Sequence, residues 1–325
     1  MARWTPDLPR FPLLDGPSPL QPLTRFSAAI GGAAEVWIKR EDLLPLAFGG
    51  NKLRNLEFLV AAALTDGADT LVTSGRRWSN HCRLTAAAGA KAGLDVHLVL
   101  SGPPLDPSGP NQRLDELLGA TVLIAATAER ADREALVARV VADLRRAGRR
   151  PHVITVGGSG VVGAVGQVLA GLELAEQATE RGLTVGTVVL PSATGGTHAG
   201  VLTGLRLAGQ STRVLGIAVA APSAELRPTV ARLLADLGEL TGRRTDPEQI
   251  ELDDAELGAG YGRPTPAADE ATRLLARSEG ILVDPIYTAK ALAGLVRGVR
   301  AGTIRGPVAF WHSGGTPGIF EPLDP

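Results

Sequence analysis

Beyond residue 70, short apolar, β-branched runs alternate with longer segments of helical periodicity, and this alternation constrains the fold more than any other feature. A strand buried on both faces is a continuous apolar run, and a parallel neighbour is reached through a crossover, usually a helix. Runs at 70–73, 96–100, 122–125, 152–156, 185–190, 214–220 and 308–311 predict strands. Helical spacing over 53–64, 80–92, 130–146, 161–181, 198–208, 224–240, 266–278 and 287–300 predicts the helices that cover them. With 325 residues the chain exceeds the roughly 250 to 300 at which a single core tends to split, so an α/β protein of two lobes is expected. An extended, proline-rich opening precedes the alternation, and SGPPLDPSGP at 101–110 predicts a long surface loop.

Charge narrows the partners. Lys plus Arg total 33 against 34 Asp plus Glu, and no basic run carries interleaved aromatics, so no nucleic-acid partner is expected. RRAGRR at 145–150 closes a helical segment, where cations suit the helix dipole on a solvated face. The single cysteine, Cys82, allows neither an internal disulfide nor a CxxC pair, which fits a reducing compartment. No stretch reaches membrane-span length and the N-terminus lacks the apolar run of a signal peptide, so a cytoplasmic protein with no membrane partner is expected. His97, His152, His198 and His312 show no metal-ligand spacing, and no metal is expected.

Lysine is scarce: only Lys39, Lys52, Lys91 and Lys290 occur, and arginine carries the rest of the positive charge. Lys52 stands in FGGNKLRNLEFLV, after two glycines and at the start of a pattern with Leu53, Leu56 and Leu59 on one side. The positive end of a helix dipole disfavours an ammonium there and favours a nucleophilic amine, although an isolated lysine at a helix start is more often a surface residue. A second feature is SATGGTHAG at 192–200, between a strand-like run and a helix. Free amides of Thr194, Gly195, Gly196 and Thr197 could cradle one phosphate, and a plain glycine turn is an equal alternative. It is no P-loop, since GxxxxGK[ST] is absent. A third is GRRWSNHCRLTAAAG at 75–89, where Ser79, Asn80 and His81 meet an Ala-rich helix, as simple caps or as partners of a substrate carboxylate. GSGVVG at 158–163 matches GxGxxG after a strand-like run, but the next strand ends in Pro191 and Ser192, without the acidic residue that a dinucleotide's ribose requires.

Together GGNKLRNLE, SNH, TVGGSG, SATGGTHAG, GAGYGRP, DPIYTAKALAGL and HSGGTPGIF come in the order and spacing of one family. From about residue 38 to 320 the chain resembles the 1-aminocyclopropane-1-carboxylate (ACC) deaminase and D-cysteine desulfhydrase family, pyridoxal-phosphate enzymes of fold type II, the tryptophan synthase β-subunit type. The resemblance implies two doubly wound open-sheet domains: a large pyridoxal-phosphate-binding one from 1–52 and 161–325, and a small one from 53–160. It makes Lys52 the Schiff-base lysine, Asn80 the partner of the cofactor's phenolic oxygen, Thr194, Gly195, Gly196 and Thr197 the phosphate cup, and Ser313 a further cofactor contact. Ser79 and His81, with the amide of Asn80, would face the substrate carboxylate. Tyr261 and Tyr287, the chain's only tyrosines, match the active-site pair.

The departures bear on substrate. Where the deaminase branch has Glu after the DP-x-Y tyrosine, at the pyridine nitrogen, this chain has Thr288, which makes a strong electron sink less expected. Trp78, Leu84 and Gly160 replace the residues usual at those places, so an altered pocket is expected, with Trp78 and Gly160 near the substrate. The expected reaction is α,β-elimination on a small amino acid, as in D-cysteine desulfhydrases, giving a 2-oxo acid and ammonia, with Lys52 or Tyr287 moving the α-proton. β-Replacement, racemisation and ACC deamination are alternatives on the same cofactor. A nicotinamide-dependent oxidoreductase built on GSGVVG and a non-catalytic small-molecule sensor are rivals from other classes. The resemblance also implies a homodimer.

Overall fold

A computed structural model describes residues 4–102, 108–127 and 129–323. Residues 103–107, the middle of the expected 101–110 loop, lie outside the described residues.

Six strands form one sheet, in the spatial order β1 (Leu20–Pro22), β2 (Val36–Arg40), β10 (Val308–His312), β7 (Thr187–Ser192), β8 (Arg213–Ala218) and β9 (Glu251–Asp253). All neighbours are parallel except β1, which runs antiparallel to β2 at the edge. Four strands form a second, wholly parallel sheet, in the order β5 (Thr121–Ile124), β4 (Asp95–Ser101), β3 (Thr70–Arg76) and β6 (Pro151–Val153).

Both sheets are buried on both faces, so their strands are apolar runs with little alternation. On the larger sheet, α6 (Val161–Glu180), α7 (Gly196–Leu207) and α8 (Ser223–Thr241) close a core around Val168, Leu190, Leu202, Leu233 and Trp311. On its other face α1 (Thr24–Ala29), α9 (Pro266–Glu279) and α10 (Thr288–Arg300) pack with Ile38, Val189, Leu292 and Phe310. The smaller sheet carries α2 (Lys52–Thr65) and α3 (Asn80–Ala92) on one side, around Leu56, Leu71, Leu84 and Leu98. On the other side α5 (Arg130–Arg146) packs Val140 and Val141 on Val72 and Val99.

The seven expected strands are present with ends shifted by a few residues, and five elements were not expected: α1, β1, β2, β9 and α4 (Pro110–Leu117). β2 is an inner strand, but its buried Lys39 breaks the apolar run that would have marked it. α4 starts where the expected loop ends, with Pro110 in its first turn, where a proline's missing N–H costs nothing.

α2 serves both cores, giving Phe58 to the larger and Leu53, Leu56 and Leu59 to the smaller. Its backbone lies so close to α6 that a Cβ on Gly166 would stand 2.0 Å from the Arg54 carbonyl oxygen. A buried charge quartet locks the contact. Arg54 donates to Glu41 Oε2 at 2.6 Å and to both Glu173 oxygens at 2.9 and 3.0 Å, while Lys39 Nζ also donates to Glu173. Two cations and two anions sum to zero, and Ser18 and Gln177 take up remaining valences. Burial opposes ionisation of Glu173, but Arg54 and Lys39 outweigh it and hold its carboxyl below the usual carboxylate range.

Removing one charge from a buried set leaves another uncompensated, at about 3–5 kcal/mol. Glu173→Gln is therefore expected to lower unfolding free energy by roughly that amount, read from denaturant midpoints. Because a depressed carboxyl pKa stabilises above the unfolded value and its contribution is lost as pH falls through the folded one, the wild type's advantage should shrink below about pH 4.

Candidate active site

In open parallel sheets, ligands bind beyond the carboxyl ends of strands where the strand order reverses. Here the reversals fall between β3 and β6 in one sheet and between β7 and β10 in the other. A cavity of about 400 Å³ opens between those four strand ends, lined by Gly75, Val156, Ser192 and Ser313 among others.

Lys52 lines this cavity as the first residue of α2. The four lysines sort themselves by partners: Lys39 is in the buried quartet, Lys91 is exposed, and Lys290 donates to the carbonyls of Leu257 and Gly260 at 2.7 and 3.0 Å. Lys52 Nζ makes no hydrogen bond or ion pair among the described residues, and burial lowers its pKa to about 8. The sequence pointed to the helix dipole; desolvation is the cause seen in the structure.

The glycine turn faces the same cavity through Thr194, Gly195 and Thr197. Gly195 is left-handed, with φ of 81°, and no side chain caps α7. The first amides of the helix therefore stay open, and open amides at the positive end of a helix dipole suit an anion. Asn51, unremarked in the sequence, ties the turn to the lysine: its Nδ2 donates to Thr197 Oγ1 at 2.9 Å and its backbone N–H to the Ser313 carbonyl at 3.0 Å. Gln167 Nε2 donates to the Asn51 carbonyl at 2.8 Å. Ser159 hydrogen-bonds Thr194 through their hydroxyls, joining the GGSG loop to the turn.

Ser79, Asn80 and His81 line the cavity at the start of α3. Ser79 is also the cap, accepting from the Cys82 amide at 3.2 Å, so the cap reading holds while the residue lines the cavity. His81 Nε2 meets Thr73 Oγ1 at 3.0 Å, and its buried Nδ1 has no partner. Burial, then the charge of Lys52, lowers its pKa to about 3, so the imidazole is neutral. Tyr261 and Tyr287 complete the wall with their hydroxyls in contact. Burial raises both phenols above their ordinary value, Tyr287 well above, so near neutral pH they are protonated donors.

Four expected site residues lie outside the lining: Gly196, Thr288, Trp78 and Gly160. Gly196 is nonetheless the first residue of α7 and supplies one of the open amides. Thr288 is engaged elsewhere, its hydroxyl donating to Asp284 Oδ2 at 2.6 Å and accepting the Asp284 amide at 2.9 Å. That local turn uses up the hydroxyl expected at a pyridine nitrogen; Ser313 is the hydroxyl residue that lines the cavity from this side. Trp78 stands behind Tyr261, edge-on with ring centroids 6.0 Å apart. Gly160 meets nothing nearer than Thr155 Oγ1, 3.9 Å from where its Cβ would lie, so the space an asparagine would take there is open. The other two glycines of GSGVVG serve packing: a Cβ on Gly163 would stand 2.2 Å from the Gly158 carbonyl oxygen and 3.1 Å from Leu59, and one on Gly158 would stand 3.0 Å from Leu59.

An unpartnered amine, a neutral imidazole with an open nitrogen and an uncapped helix start are the groups that an aldehyde-bearing phosphate ester needs, so the residues fit pyridoxal phosphate. The comparisons agree. Residues 12–314 match the pyridoxal-phosphate dependent enzyme family. The solved structure of an ACC deaminase homologue is 34% identical, with a TM-score of 0.90 over 97% of this chain and 94% of that one. Two more distant structures share the fold. A pyridoxal 5'-phosphate-dependent aspartate racemase is 15% identical, with a TM-score of 0.67 over 92% of this chain and 90% of that one. The threonine deaminase of T.th. is 21% identical, with a TM-score of 0.65 over 95% of this chain and 94% of that one. The chain therefore belongs to the pyridoxal-phosphate dependent enzymes, with the two-sheet architecture of fold type II.

Proposed function

We propose that this enzyme is a lyase that acts on a small amino acid by α,β-elimination, releasing a 2-oxo acid and ammonia. One observation carries the reading: the desolvated, partnerless Lys52 amine faces an uncapped helix start across a single cavity, and Asn51 bonds the two walls together.

In this reading Lys52 holds the cofactor covalently, and Thr194, Thr197 and the amides from Gly195 onward hold its phosphate. Asn80 faces the phenolic oxygen and Ser313 the ring. Bound there, pyridoxal phosphate withdraws electrons from the substrate's α-carbon and eases loss of its proton. Ser79, His81 and the Asn80 amide orient the substrate carboxylate. With a pKa of about 8, Lys52 is the group suited to accept the α-proton near neutral pH, whereas the high pKa of Tyr287 suits a donor. Lys290, bonded to two carbonyls of the loop that carries Tyr261, positions that phenol.

ACC deamination is the second reading, supported by the similarity to an ACC deaminase homologue. Releasing 2-oxo acid from D- or L-cysteine and β-chloroalanine, but not from the cyclopropane amino acid, would separate the first reading from the second. The division into a large lobe, 1–52 and 161–325, and a small lobe, 53–160, belongs to this proposal and is supported by the two separate sheets. So do a cytoplasmic location and a homodimer. No described helix is long and apolar enough to cross a membrane, and exposed Phe48, Leu117 and Phe320 share one surface hollow that a second copy could cover. The mass in solution tests the dimer.

Lys52→Ala is expected to abolish the visible absorption of the purified protein; a wild-type spectrum in the variant would end the proposal. Uptake of pyridoxal phosphate by the apoprotein should accelerate as pH rises through about 8, because the neutral amine reacts and its fraction grows there. Stopped-flow absorbance at several pH values checks this. Tyr287→Phe should keep the absorption but lower turnover by about 10²- to 10⁴-fold, measured as 2-oxo acid release.

A further inference from the structure

The cavity holds cations that the proposed chemistry does not use. Arg76 ends β3 and Arg133 lies in the first turn of α5, and both line the cavity. The Arg76 guanidinium makes no hydrogen bond or ion pair among the described residues. Arg133 is 8% exposed; it donates to Ser101 Oγ at 3.0 Å, and its Nε is buried without a partner. Burial, then the charge of Arg76, lowers the Arg133 pKa, so the two guanidiniums feel each other's field. Arg130 and Glu129 also line the cavity at an exposed rim, where Arg130 is balanced by Glu134. Among the described lining residues only Glu129 remains as a counter-charge to Arg76 and Arg133, and it is in water. Two adjacent guanidiniums facing a cavity, one of them buried with an idle donor, lack the counter-charge that would offset their desolvation and repulsion.

We propose that Arg76 and Arg133 form a second anion subsite, and that the substrate is an amino acid whose side chain itself ends in an anion: a carboxylate, a sulfur oxyanion or a phosphate. The inference rests on the lyase reading for the placement of the α-carboxylate at Ser79 to His81 and of the cofactor phosphate at the glycine turn, which leaves the arginines for a third charge. Guanidinium forks bind oxyanions in two-point fashion, and a site with idle buried donors discriminates against neutral isosteres.

The test titrates the holoenzyme with aspartate and asparagine, glutamate and glutamine, cysteate and serine, and O-phosphoserine and serine, in both configurations. Calorimetric heat and cofactor absorption are both followed. At least one acidic member should bind about tenfold or more tightly than its neutral counterpart. Arg76→Gln should reduce that ratio below about threefold with little change for the neutral member, and Arg76→Lys should restore part of it. Partly exposed Arg76 is the residue to change, because substitution of buried Arg133 risks the fold. No acidic preference in any pair, or equal weakening of both members by Arg76→Gln, overturns the subsite; the second outcome would assign Arg76 to the α-carboxylate. Absent cofactor absorption in the wild type would instead sink the lyase reading, while the heats still decide the anion preference.

Discussion

The placement of Lys52 depends on a charge quartet that never touches the cavity. Arg54 lies two residues beyond Lys52 in the same first turn of α2, and Glu41 and Glu173 grip its guanidinium from two other elements. Burial alone would lower the pKa of Arg54, but the two carboxylates reverse the shift and keep it charged. Burying four ionised groups is expensive, and the set persists because its charges cancel and its donors are used. The return is positional: α2 can neither rotate nor slide on α6 without parting ion pairs or driving Gly166 into the Arg54 carbonyl.

Within the cavity, exclusion of water is the largest cause of the shifted protonation states. It depresses the amine of Lys52 and the imidazole of His81, and it raises the phenols of Tyr261 and Tyr287. A neutral ring and two neutral phenols therefore share one space with an amine that sheds its proton near pH 8. Positive charge enters through the Lys52 ammonium below about pH 8, the helix start at Gly196 and the arginines of the far wall, all suited to anions.

Much of this was legible in the letters. The central strands announce themselves because burial on both faces demands unbroken apolar runs, and Lys52 stands out because so few lysines compete with it. What stayed hidden depends on neighbours that sequence does not supply. Lys39 disguises β2 because Glu173, 134 residues away, neutralises it. Asn51 gives no signal beyond its place next to Lys52, since its partner Thr197 lies 146 residues further along the chain. Thr288 was assigned to a ring nitrogen by position in a motif, whereas a local turn with Asp284 claims its hydroxyl. Arg76 and Arg133 come together only because α5 packs back on β3 after α3, β4, α4 and β5.

The cavity walls descend from different sheets. The glycine turn follows β7 of the larger one, whereas Arg76 ends a strand of the smaller and Ser79 and Arg133 follow its strands. Mutational drift can therefore reshape the wall that carries Arg76 and Arg133 while the glycine turn on the other sheet stays untouched, so lineages built on this plan are free to alter one face of the cleft without rebuilding the other.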